Sequence, residues 1–118
     1  MPTTVVNVKV KHIRPIYNNL EEWMQNPNHE YIGRKGIVFI NNQRFPKNAS
    51  IWANPFKVKD GDRVKSLELY ETWLRDKIKR EGTDEFKKLK NKVLGCWCKP
   101  ESCHGDIIIK VLNEIENK

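Results

Sequence analysis

The chain has 118 residues, 38% apolar and 31% charged, with a formal net charge of +7. That length predicts one domain, residues 1–118, able to bury roughly two-thirds of its unfolded surface. Four Trp, four Phe and three Tyr offset the low apolar fraction and exclude a disordered chain.

The first element is a half-buried strand over Thr3 to Val10, with Val6, Val8 and Val10 on one side and Asn7 and Lys9 on the other. Leu20 to Met24 makes a short helical turn that ends at Asn26-Pro27, and Asn28 to Gly36 is polar and turn-rich. Ile37 to Ile40 reads as a buried strand, and Asn41-Asn42-Gln43-Arg44 as a hairpin turn into a short partner around Phe45. Asn48 to Phe56 is irregular, with Trp52, Pro55 and Phe56 pinned to the core, and Lys59 to Asp62 is a turn. Val64, Leu67, Tyr70, Leu74 and Ile78 then share one face of a helix that stops at Gly82. Thr83 is placed as the N-cap of a short helix that turns Phe86 and Leu89 inward. Lys92 to Cys98 reads as a strand, Lys99 to Gly105 as a loop, and Ile108, Val111, Leu112 and Ile115 form the stripe of a last helix. This order predicts an α/β fold: a small central sheet with helices packed on it and a C-terminal strand–loop–helix unit.

No stretch reaches the roughly 18 apolar residues of a membrane span. The N-terminus lacks the basic and apolar regions of a signal peptide. The expected location is intracellular, in the cytoplasm. An odd number of cysteines, three within eight residues of chain, reads as ligands or reactive thiols rather than a disulfide framework. The basic charge makes nucleic acid a candidate partner. Much of the excess, however, lies in Arg75, Lys77, Lys79, Arg80, Lys87, Lys88, Lys90 and Lys92, mixed with acids as on a solvated helix face.

Chemistry concentrates in Gly95-Cys96-Trp97-Cys98-Lys99-Pro100-Glu101-Ser102-Cys103-His104-Gly105-Asp106. A strand that leads through a loop into a helix start is a place to hold an anion. Three readings stand together. Cys96, Cys98, Cys103 and His104 are a donor set for tetrahedral zinc, with Asp106 as a substitute; three thiols also suit an iron–sulfur cluster. Alternatively Cys103, at a helix N-terminus beside His104, is a thiol of lowered pKa with Cys98 or Cys96 as its resolving partner. In the plainest reading the thiols only pack, Gly95 and Gly105 allow close approach, and the helix start binds a ligand through its amides. Two further segments complete a site: Tyr31-Ile32-Gly33-Arg34, whose guanidinium suits a phosphate or carboxylate, and Trp52-Ala53-Asn54-Pro55-Phe56, whose Asn54 either reads a polar edge or ties down its own loop.

These segments resemble the family catalogued as domain of unknown function 4326, small domains from bacteria, phages and large viruses. The likeness covers essentially the whole chain: the Thr4-Val5-Val6-Asn7-Val8 strand, the Tyr31 to Arg34 turn, Asn54-Pro55-Phe56, and the Cys96 to Asp106 motif. Ala53 stands where the family usually has Gly. Residues 35–51 form an insertion between two motifs that the family usually keeps adjacent. The resemblance implies a shared site without an established activity. It brings Arg34, Asn54, Cys96, Cys98, Cys103, His104 and Asp106 forward as one constellation; within it the residues themselves suggest Arg34, Asn54 and the neighbouring Gly105 as ligand-binding and Cys103, His104 and Asp106 as the reactive group. The leading expectation is a pocket for a small anionic, nucleotide-derived ligand at the last helix start. The alternative is a zinc-stapled basic module that binds nucleic acid without catalysis.

Overall fold

The computed structural model describes residues 3–56, 63–97 and 103–116. Among these, three strands form a parallel sheet: β1 (Thr4–Asn7), β2 (His29–Tyr31) and β5 (Val93–Cys96), in the order β1-β5-β2. The first and last strands therefore lie side by side, Thr4 opposite Val93 and Asn7 opposite Cys96, while Tyr31 lies opposite Gly95 on the other flank. β5, Val-Leu-Gly-Cys, lacks polar alternation because a central parallel strand is covered on both faces. A separate antiparallel pair, β3 (Val38–Ile40) and β4 (Gln43–Phe45), lies within residues 35–51.

The period-2 geometry of the strands sorts side chains into two cores. On one face, Leu94 and Cys96 of β5 join Ile32 and the buried stripes of α3 (Arg63–Glu81), α4 (Asp84–Lys87) and α5 (His104–Glu116). On the other, Val6, Val8 and Val93 meet Ile13 of α1 (Val10–Ile13), Leu20 and Trp23 of α2 (Leu20–Met24), and the hairpin through Val38 and Phe45. The fold is thus α/β, with helical layers on both faces of a small sheet.

Several elements differ from the sequence reading, each for a local reason. β1 stops at Asn7, whose Oδ1 accepts from Lys9 N at 2.9 Å; this turn ends the strand and leaves Val10 to open α1, exposed. β2 runs through what reads as a turn. As an edge strand it buries little but Tyr31, while His29 stacks on Trp23 with ring centroids 4.2 Å apart. β3 is not buried: Phe39 is 66% exposed and carries the Arg44 guanidinium 4.8 Å from its ring centre. Among the described residues it pairs with β4 alone, across a turn in which Asn41 (φ 53°) and Asn42 (φ 64°) are both left-handed, the geometry that two-residue hairpins need. On α3 the buried line is Ser66, Tyr70 and Leu74, and Val64 is 68% exposed. Gly82 ends α3 with φ 86°, as its position predicts, whereas Thr83 precedes α4 without a side-chain capping bond. The predicted turn over Lys59 to Asp62 lies outside the described residues.

Candidate functional site

A cavity of about 260 Å³ opens where β2 and β5 end and where α3 and α5 begin. The C-terminal ends of parallel strands are the usual ligand side of such sheets, because crossover helices start there with their amides pointing outward. Of the residues singled out from the sequence, Arg34, Asn54, Cys96, Cys103 and His104 all line this cavity.

The turn after β2 is built around Tyr31. Its hydroxyl donates to the Arg34 carbonyl at 2.7 Å and accepts from Trp97 Nε1 at 2.8 Å. Burial pushes the Tyr31 phenol above its ordinary pKa, so it stays a donor. The phenol ring lies where a Cβ on Gly33 would stand, which explains a glycine between Tyr31 and Arg34. The backbone carbonyl of Arg34 is thereby tied to Tyr31. Its side chain, exposed at the cavity mouth, donates from Nη2 to the Asn54 carbonyl at 3.2 Å.

Asn54 secures its own loop. Its Oδ1 accepts from Phe56 N at 2.9 Å, and its Nδ2 donates to Ser66 Oγ at 3.0 Å. Ser66 in turn donates to the Phe56 carbonyl at 2.8 Å. The amide retains one N–H and one lone pair for a ligand. Deeper in, Tyr70 donates to the Trp52 carbonyl at 2.7 Å, anchoring the same loop to α3.

At the start of α5, Cys103 and Asp106 form a reciprocal cap. Cys103 N donates to Asp106 Oδ2 at 3.1 Å, and Asp106 N donates to the Cys103 carbonyl at 3.0 Å. Asp106 is not among the described residues lining the cavity, and its carboxylate serves the helix terminus. Gly105 does not line it either. A Cβ there would stand 2.7 Å from Val5 Cγ2 and 3.1 Å from Ile32 Cδ1, so the glycine lets α5 approach the sheet.

The His104 ring is buried against Tyr70, edge to face at 5.1 Å, and its Nε2 lies 2.6 Å from the Ile32 carbonyl. Burial lowers its pKa, and the charge of Arg34 acts in the same direction. The neutral ring then carries its proton on Nε2 and leaves Nδ1 an acceptor. Cys96 and Cys103 are both buried, with Sγ atoms 3.2 Å apart. The bond to Cys96 and burial push the Cys103 thiol well above its ordinary pKa, although the Gly105 amide pulls it down. This corrects the expectation of a thiol lowered by the helix N-terminus: the neighbouring sulfur and desolvation outweigh one amide.

Cys98 lies outside the described residues. Of the other residues considered as metal ligands, Cys96 and Cys103 adjoin, while His104 commits Nε2 to a carbonyl. Among the described residues, no three His, Cys, Asp or Glu side chains gather as ligands around one point.

Two lining residues escaped the sequence reading. Ser66 stands in line with Tyr70 and Leu74 at intervals of four, a hydroxyl inside a buried stripe, and that spacing was available as a signal. Arg63 opens α3 and adds a second guanidinium to the lining. No carboxylate occurs among the described lining residues. The first turns of both α3 and α5 meet the cavity, each contributing the positive end of a helix dipole. Away from the cavity the helical cations are largely matched: Arg75 pairs with Glu71 and Glu114, Lys77 with Glu81, Arg80 with Asp76, and Lys88 with Glu85. Among the described residues no helix is long and apolar enough to cross a membrane.

Comparison with known proteins adds a family without a function. The chain is 35% identical over 71 residues to an uncharacterised 12.4 kDa protein of the nrdA-td intergenic region of Enterobacteria phage T4. The matched stretch covers 56% of this chain and 63% of that relative, under two-thirds of its length. No solved structure matches. The family model described as domain of unknown function (DUF4326) matches residues 17–114, and the chain belongs to that family.

Proposed function

We propose that this cavity binds a small anionic, nucleotide-derived ligand. One observation carries the reading: Arg34 and the first turns of α3 and α5 meet in a single cavity whose described lining has no carboxylate. An anion there gains from the Arg34 guanidinium and from the two helix starts, that of α5 offset in part by the Asp106 carboxylate that caps it. Trp97 and Phe56 offer flat apolar walls for a base. The spare N–H and lone pair of Asn54 face the needs of a base or ribose edge. The volume of about 260 Å³ is below the ~300–1,000 Å³ of drug-sized sites, which favours a mononucleotide or smaller over a dinucleotide. Cys103 acts as a protonated wall of the site, and His104 Nδ1 is an acceptor for a ligand hydroxyl or amino group.

The test is calorimetric titration with a panel of nucleoside monophosphates beside the matching nucleosides. The phosphorylated members bind and the nucleosides bind at least about 10-fold more weakly, the value of a charge-assisted hydrogen bond. Arg34→Ala removes the difference. A panel without binding, or an Arg34→Ala protein that keeps the preference for phosphate, would overturn the reading.

A further inference from the structure

Cys96 and Cys103 are seven positions apart in sequence, and their sulfurs are 3.2 Å apart in the fold. A disulfide closes at about 2.05 Å, so a shift of roughly 1 Å joins them. Both are anchored on rigid elements. Cys96 ends the central strand, paired with Asn7, and its carbonyl accepts from Val8 N at 2.9 Å. Cys103 is fixed by its two bonds with Asp106 at the head of α5. Each residue is only 1% exposed, yet both line the cavity. Any reactant must therefore come by way of the cavity, whose volume of about 260 Å³ has room for a small solute and not for a protein thiol.

We propose that this pair is an oxidation site at which a small hydroperoxide forms an intramolecular Cys96–Cys103 disulfide. One thiol gives up its proton as its sulfur attacks a peroxide oxygen; the O–O bond breaks, a sulfenic acid forms, and the departing oxygen takes that proton and leaves as water. The second sulfur attacks the first; the S–O bond breaks, the S–S bond forms, and a second water leaves. Two thiols and one hydrogen peroxide give one disulfide and two waters, with two electrons passing from sulfur to oxygen. The new bond ties the end of β5 to the head of α5, two walls of the cavity, so oxidation stiffens the site. This inference stands apart from the identity of any ligand. It selects Cys96 as the partner of Cys103, where the sequence left Cys98 and Cys96 both open.

The experiment treats the folded, reduced full-length protein with hydrogen peroxide, alkylates the remaining thiols and reads intact mass and disulfide-mapped peptides. The expected product loses about 2 Da, the two thiol hydrogens, links Cys96 to Cys103, leaves Cys98 alkylated, and reverts with a dithiol reductant. Cys98→Ser retains the reaction in full, which keeps the test valid if Cys96→Ser or Cys103→Ser fails to fold. A link involving Cys98, a linkage between chains, or overoxidation of Cys103 without a disulfide would overturn the proposal.

Discussion

The guanidinium of Arg34 donates to the carbonyl of Asn54, twenty residues along the chain, at 3.2 Å. This bond joins the turn after β2 to the loop before α3 at the mouth of the cavity. The charge is therefore placed by backbone on both sides: its own carbonyl is held by Tyr31, and its side chain is aimed by Asn54.

Arg34→Ala separates placement from binding. The bond to Asn54 is exposed, so its loss lowers the unfolding free energy by only ~0.5–1.5 kcal/mol, read from the urea midpoint. Affinity for a nucleoside monophosphate falls about 10-fold or more. Arg34→Lys does not restore it, because an ammonium lacks the planar fork that bonds both a carbonyl and an anion. Full recovery by lysine would show that only net charge matters.

Asn54 and Ser66 act as one unit. Each alanine substitution leaves a partner without its bond and costs about 1–3 kcal/mol. The double substitution costs less than the sum by ~0.5 kcal/mol or more, because the shared bond is lost once. Urea denaturation of the four proteins closes this cycle, and strict additivity would refute the direct coupling.

Gly105→Ala places a methyl against Val5 and Ile32, and overpacking of this kind costs ~1–3 kcal/mol. Val5→Ala, made on that background, removes the atom 2.7 Å from the new Cβ and returns part of the loss. A thermal melt of the two variants tests this. A second change that only adds to the first would place the clash elsewhere.

His104 sets an acid-side dependence. Its pKa is lowered in the folded protein by burial, with Arg34 adding to the effect. Above about 6.5, the ordinary histidine value, both states are neutral and this residue contributes no pH dependence. Below it the unfolded chain takes up a proton that the folded ring resists, so stability falls as pH drops toward the folded pKa, by at most about 1.4 kcal/mol per unit. Urea midpoints at pH 7.5 and 5.5 show a drop that is smaller in His104→Gln, whose amide still donates to the Ile32 carbonyl. An equal drop in both proteins would mean that other groups carry it.

Hydrophobic periodicity read well where one face of an element is buried. α5 shows Ile108, Val111 and Leu112 as its inner stripe, and the two asparagines marked the hairpin turn, whose backbone they take up in the left-handed region. β2 was hidden because an edge strand three residues long, with one buried side chain, carries no alternation. The apolar run at β3 suggested burial, but whether a strand joins the central sheet depends on partners remote in sequence.

The clustering of Cys, His, Gly and Asp between Cys96 and Asp106 located the cavity end of this protein from chain order alone, since a strand leading into a helix start needs only local geometry. What each residue of that segment touches was decided by packing. Gly105 serves close approach, Asp106 caps α5, and Cys103 keeps its proton because burial and Cys96 outweigh the helix amide. Arg34, Asn54 and Ser66 come from three regions of chain and meet through side-chain hydrogen bonds, Arg34 to the Asn54 carbonyl and Asn54 to Ser66. The place of Arg34 follows from the pairing of β2 with β5, and the places of Asn54 and Ser66 from the packing of a loop on α3, so these residues acquire their neighbours from the tertiary fold and not from the residues beside them.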